Sequence, residues 1–304
     1  MQRFVISIFF LFHTFLLTAQ GRVYPKEITV STDGNGDYKT IQEAVNSVRD
    51  YGQPVTIHIQ KGVYHEKLVI ATWKTKIILL GDDPLNTIIT NNDYSGKPVA
   101  NGRDAYALSK FNTFTSYTVL VQGNDCTIKN LTIENTAGRV GQAVALHVEG
   151  DRCIVENCHI LGNQDTLFTT NENSRQYYKD CYIEGTTDFI FGEATCVFQS
   201  CTIKNLINSF TTAASTTERQ SFGYVFFDCR LIAADTITKV YLGRPWRSWA
   251  KTVYIRTQMG AQVLPEGWNP WKGDTMFPDK EKTAYYAEYK STGAGANPAQ
   301  RPIL

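Results

Sequence analysis

Between Asp125 and Arg230 one phrase returns five times: CTIKNLTI from Cys126, CIVENCHI from Cys153, YYKDCYI from Tyr177, CVFQSCTI from Cys196 and YVFFDCRLI from Tyr224. Each copy is a short alternating apolar run, one small polar residue and a second alternating run. The polar residues are Asn130, Asn157, Asp180, Ser200 and Asp228, at intervals of 27, 23, 20 and 28 residues. One such unit cannot bury its apolar face alone, but stacked copies can. The expected architecture is therefore all-β, a right-handed parallel β-helix with one coil per repeat. Asn and Asp tolerate left-handed backbone, so a polar residue at one phase predicts a sharp bend between two strands.

The phase of the repeat also places chemistry. Asp165 and Asp188 each lie eight residues past their own bends. Adjacent strands sit about 4.8 Å apart, so the two carboxylates are expected on neighbouring rungs. The coil of Gln142 is longer, and placing its extra residues ahead of Gln142 puts that side chain in the same column. The expected column is Gln142, Asp165 and Asp188, with Gln164 beside the first Asp.

The chain begins MQRFVISIFFLFHTFLLTAQ. A single early cation and a short apolar core predict a secretory signal over 1–20, cleaved near Ala19 or Gln20. That leaves a single domain over 21–304 and a secreted or periplasmic protein. The apolar run is short for a membrane span. A formal charge of +1 is no basic excess that would argue for a nucleic-acid or membrane surface, so neither is an expected partner. An acidic partner would have to be met by locally placed Arg and Lys.

Seven cysteines in an exported chain raise the question of disulfides. Cys158, Cys181, Cys201 and Cys229 each directly follow a bend residue, and Cys126, Cys153 and Cys196 form a second column five residues upstream. Buried Cys behaves as a small hydrophobe, so interior ladders are one reading; stacked neighbours also stand close enough to bridge. No C-x-x-C pair is present, so no zinc site is expected.

Thr40 and Glu43 form a capping box ahead of Ile41, Ala44, Val45 and Val48, predicting a short amphipathic helix that covers the N-terminal end of the β-helix. Strand-like runs separated by Gly, Asp and Asn turns follow. The polar stretch from Asn91 to Thr113 reads as a projecting loop. After Arg230 we expect a strand, a long excursion and another strand, and little regular structure from Gly267 onward.

Five separated strings then carry a resemblance: GVYHE at Gly62, GQAVAL at Gly141, GNQDTL at Gly162, DFIFG at Asp188 and LGRPW at Leu242. Together, and in this order, they resemble the pectin methylesterase (pectinesterase) family of carbohydrate esterases over nearly all of the chain after residue 20. Weaker agreement extends to GDYKTIQEAV, GDDPLNTIIT, GWNPW and STGAGAN. The resemblance implies hydrolysis of methyl esters of polygalacturonate to acidic pectin and methanol, by a monomer that needs no metal or other cofactor. It makes Asp188 the nucleophile and Asp165 the proton donor. Gln142 and Gln164 become oxyanion stabilisers, and Arg244 holds Asp188. Thr113, Gln142, Arg244, Trp246 and Trp268 become substrate-binding positions. Members of the family often continue past the point where this chain closes on PAQRPIL, which leads us to expect a weakly held C-terminal end.

These residue types suit that chemistry. Ester hydrolysis needs a nucleophile, a donor for the departing methanol and hydrogen bonds to the developing oxyanion. A guanidinium should lower the pKa of Asp188, and a second carboxylate one rung away should raise that of Asp165. Taken singly, each residue has a plainer reading. An Asp near a coil bend commonly serves the turn, Arg244 beside Trp246 could be a surface cation–π stack, Tyr64 and Glu66 serve structure, and Asp82-Asp83 reads as a turn. Two other functions compete. A lyase or glycosidase acting on pectin would leave the two Gln without a role, and a non-catalytic glycan-binding β-helix would not need Asp165, Asp188 and Arg244 together. A serine esterase is disfavoured because the chain has no G-x-S-x-G.

Overall fold

The computed structural model describes residues 24–49, 52–100, 102–104 and 106–301. The segment expected to be a signal, 1–20, lies outside the described residues. Three parallel sheets of ten, eight and seven strands wrap one core, and successive coils add one strand to each sheet. A representative coil runs Cys153–Glu156, His159–Leu161, Leu167–Thr169, and the next runs Arg175–Lys179, Tyr182–Gly185, Ile190–Gly192. The fold is the parallel β-helix that the repeat predicts. Among the described residues no helix is long and apolar enough to cross a membrane.

The bends follow the expected residues. Asn130, Asn157, Asp180, Ser200 and Asp228 have φ between 50° and 56°. Non-Gly residues rarely adopt this region, and Asn and Asp do so most readily. A sixth corner is made by Arg256, with φ 48°. Its guanidinium instead ties back to Asp228 on the preceding corner.

Inside, one column of the ten-stranded sheet changes from aliphatic to aromatic. Tyr178, Phe198, Phe226 and Tyr254 stack in turn, with ring centroids 4.7, 4.5 and 4.4 Å apart. Each such burial contributes about 1.5–3 kcal/mol, and each ring pair about 0.5–1.5 kcal/mol more. All seven cysteines are buried free thiols. Cys158, Cys181, Cys201 and Cys229 form an unbroken interior ladder, continued by Thr257. The second column is interrupted, because Gln176 stands between Cys153 and Cys196. Its amide is satisfied by Val148 O, Ser174 Oγ and the Tyr178 hydroxyl.

The helix Ile41–Ser47 packs its buried Ile41, Ala44 and Val45 over the N-terminal end. Thr40 Oγ1 accepts the Glu43 N–H, and Glu66 supplies the remaining cap, its two oxygens accepting the N–H groups of Ile41 and Gln42. Glu66 and the Asp83 turn are thus structural, as expected. Two departures lie toward the C-terminus. Tyr241–Gly243 joins the seven-stranded sheet within the expected excursion, and Tyr285–Tyr289 forms the last strand of the ten-stranded sheet where little regular structure was expected. Glu288 on that strand points inward, and Arg301 neutralises it while donating to the carbonyls of Leu264, Pro265 and Gly295.

Candidate active site

The site lies on the outer face of the seven-stranded sheet. Outward residues there form one buried column, His147, Phe168, Phe191 and Ala213, apolar but for the histidine. Phe168 and Phe191 stack 4.2 Å apart, and Trp246 meets both edge-on. Burial drives the His147 pKa down to about 3, so this imidazole is a neutral part of the floor. Above the column opens a groove of about 350 Å³, lined by Thr113, Phe114, Gln142, Gln164, Asp165, Asp188, Phe191, Ala213, Arg244, Trp246 and Trp271.

Asp165 and Asp188 each precede a strand of this sheet by two residues. Leu167 pairs with Ile190, and the Asp165 N–H reaches Thr187 O, so the two Asp are level on adjacent rungs. Both adopt left-handed backbone, φ 64° and 50°. The strand after Asp188 ends at Gly192, φ 123°, where a Cβ would stand 1.9 Å from Thr169 O; no other residue fits the end of DFIFG.

Arg244 closes a two-pronged bond on Asp188, Nε to Oδ1 at 2.9 Å and Nη2 to Oδ2 at 2.6 Å. Its guanidinium lies against Phe210 at 3.9 Å and Trp271 at 3.6 Å. Lys280, itself fully buried, lies over the Trp271 ring at 3.9 Å and pairs with Asp274 at 2.5 Å. Trp271 therefore contacts two cations, one of which holds Asp188.

Burial raises the pKa of Asp165 well above the ordinary carboxylate range, the Asp188 charge adds to this, and Arg244 opposes it. Burial ranks ahead of the like-charge repulsion expected from the sequence. For Asp188, Arg244 pulls in the expected direction, yet burial outweighs it and the pKa is raised. The asymmetry survives, since Asp188 holds a guanidinium by two hydrogen bonds and Asp165 holds none.

Gln142 is not in the Asp column. It pairs with Gln164, one position away from the expected register. The coil's length difference does not lie wholly ahead of Gln142. A bulge follows it, where the N–H groups of Ala145 and Leu146 both donate to Thr166 O and the Thr118 N–H is shared between Val144 O and Ala145 O. The link from Val148 to Cys153 is also shorter than that from Thr169 to Gln176. The two amides thus form their own pair beside the two carboxyls. Thr113 opens a short 3-10 turn, Thr113–Thr115, capped by Asn112. Lys67 holds that turn by donating to Thr115 O and Tyr117 O while paired with Asp93.

Trp268 corrects the expectation of a groove residue. It is 2% exposed and stacked on Tyr286 at 4.4 Å inside the core. Trp271 takes the place at the groove. An Asx turn, with the Trp271 N–H on Asn269 Oδ1, and a left-handed φ of 51° carry it outward. The N-P-W sequence carried that signal. Among the described residues no group of three or more His, Cys, Asp and Glu is arranged to hold a metal ion.

Residues 27–302 match the pectinesterase family. "Probable pectinesterase/pectinesterase inhibitor 23" of Arabidopsis thaliana is 38% identical over 286 residues, covering 90% of this chain and 47% of its own length. The chain spans about half the length of such curated relatives. Among solved structures, pectin methylesterase from carrot superposes with a TM-score of 0.80 at 35% identity, covering 92% of this chain and 86% of its own. A pectin methylesterase in complex with a hexasaccharide gives 0.78 at 28% identity, covering 91% and 92%.

Proposed function

Because the chain belongs to the pectinesterase family, we propose that it hydrolyses the methyl esters of polygalacturonate, releasing methanol and leaving acidic pectin. The observation that carries this reading is the level pair Asp165 and Asp188 at the groove, only one of them clamped by a guanidinium.

Ionised Asp188, oriented by Arg244, attacks the ester carbonyl carbon. The oxyanion that forms takes hydrogen bonds from the amides of Gln142 and Gln164, which donate without competing for a proton. Asp165, kept protonated by burial and by its neighbour's charge, gives its proton to the departing methoxide. As a carboxylate it then activates water, which resolves the acyl-enzyme and returns the proton. Thr113, Trp246 and Trp271 wall the groove in which the sugar chain lies. We assign 1–20 to an export signal and 21–304 to one secreted catalytic unit that acts as a monomer on the polysaccharide.

The reaction class is tested by incubating the protein with highly methylated pectin and following methanol, titratable acid, reducing ends and unsaturated products together. One acid group per methanol with no new chain ends is the expected result. Chain cleavage without methanol would replace the esterase with a lyase or glycosidase.

A further inference from the structure

Arg244 and Arg247 flank Pro245-Trp246 and are held alike. Arg244 lies against Phe210 and Trp271; Arg247 lies against Trp246 at 4.3 Å and Phe277 at 4.4 Å. Ring contacts occupy the faces of a guanidinium and leave its N–H edge for an anion. In Arg244 that edge is filled by Asp188. In Arg247 it donates only to the Trp246 carbonyl, at 3.0 Å, with no carboxylate within ion-pair distance among the described residues. Burial pulls the Arg247 pKa down, against the smaller opposing pull of the Asp274 and Glu193 charges, neither of which comes within ion-pair distance.

Arg247 lines a depression of about 320 Å³ that shares Trp246 with the catalytic groove. Its two acids do not supply the missing partner. Glu172 is paired with Arg219 and accepts the Thr217 hydroxyl. Glu193 accepts the Asn171 N–H at 2.7 Å, and burial raises its pKa toward the neutral form. The other cations nearby are committed, Arg244 to Asp188 and Lys280 to Asp274.

We propose that Arg247 is a carboxylate-binding subsite, taking an unesterified galacturonate of the same polymer on the far side of Trp246 from the reacting ester. This rests on the esterase reading, which supplies the ligand: each turnover converts a neutral ester into a carboxylate on the bound chain. A carboxylate can take both prongs of a guanidinium, whereas a methyl ester offers no charge and one good acceptor. A net charge of +1 gives the chain no overall cationic excess to do this instead.

The test compares wild type, Arg247→Met and Arg247→Lys in two measurements. In calorimetric titration with fully de-esterified oligogalacturonate, the Met variant should bind about tenfold more weakly and Lys should restore part of the loss. In methanol release, the Met variant should show a raised KM on half-esterified pectin, with kcat unchanged and fully esterified pectin affected less than about twofold. Equal oligogalacturonate affinity in wild type and the Met variant, or an equal rise in KM on both pectins, overturns the subsite. Arg247-dependent binding by a wild type that releases no methanol overturns the esterase and upholds the anion site.

Discussion

Two Asp–Arg pairs in this molecule share a geometry and differ in their exposure to water. Asp188 and Asp228 both sit in left-handed backbone, φ 50° and 56°. Each takes Nε and Nη2 of an arginine further along the chain, Arg244 at 2.9 and 2.6 Å and Arg256 at 2.8 and 2.8 Å. Each arginine also lies over a Phe ring. The difference is water. The Asp188 and Arg244 side chains are 9% and 19% exposed, against 39% and 47% for Asp228 and Arg256. In water the attraction is screened and such a pair contributes roughly 0–1 kcal/mol; out of water, removing one partner strands the other at a cost of about 3–5 kcal/mol. The same two side chains thus make a corner clip on one face and the proposed nucleophile with its holder on the other.

Breaking each pair from its arginine side separates the two environments. Arg244→Met should lower kcat/KM for methanol release roughly a thousandfold, since it frees the orientation of Asp188 and leaves a buried charge unpaired. The two tryptophans of GWNPW make a similar contrast. Trp268→Ala should lower unfolding free energy by about 3 kcal/mol, read by denaturant titration, because it empties a core site. Trp271→Ala should instead raise KM and lower kcat with a smaller loss of stability, since it removes the ring between Arg244 and Lys280.

Asp165→Asn keeps shape and removes the transferable proton, with an expected loss of about a hundredfold in kcat. It also carries a pH signature. The folded pKa of Asp165 lies above its ordinary value of 3.8, so the folded state keeps this proton through a pH range where the unfolded chain has lost it. That contribution to stability is complete below the unfolded pKa and is lost as pH rises through the folded one. Between those limits wild-type stability should fall with rising pH, and Asp165→Asn should flatten that slope. Activity should fall on the same alkaline limb as the proposed proton donor is lost. The smallest effect belongs to the exposed twin: Arg256→Met should leave both stability and methanol release close to wild type.

Much of this was legible in the sequence because left-handed corners are chemically demanding. Asn130, Asn157, Asp180, Ser200 and Asp228 announced the coil, and counting from Asn157 and Asp180 placed Asp165 and Asp188 level with one another. Counting failed for Gln142, because the net difference in coil length conceals a shorter link from Val148 to Cys153 than from Thr169 to Gln176, so more of the extra residues precede Gln142 than the bend spacing shows. The corner at Arg256 went unnoticed for the opposite reason, as arginine is not a residue that left-handed backbone favours. Lys280 could not be foreseen, since a lysine reads as surface until a ring and a carboxylate are folded around it. The strand Tyr285–Tyr289 was hidden by tyrosines on both faces, which erase the alternation that marks a half-buried strand.

Methanol release by Asp188→Asn and Asp228→Asn, measured side by side against wild type on highly methylated pectin, tests the central claim most directly. Burial and position, rather than the Asp–Arg pair itself, are held to make the nucleophile. Asp188→Asn should lose at least about a thousandfold while remaining folded, and Asp228→Asn should stay within about twofold of wild type. A folded Asp188→Asn that releases methanol at the wild-type rate would contradict it.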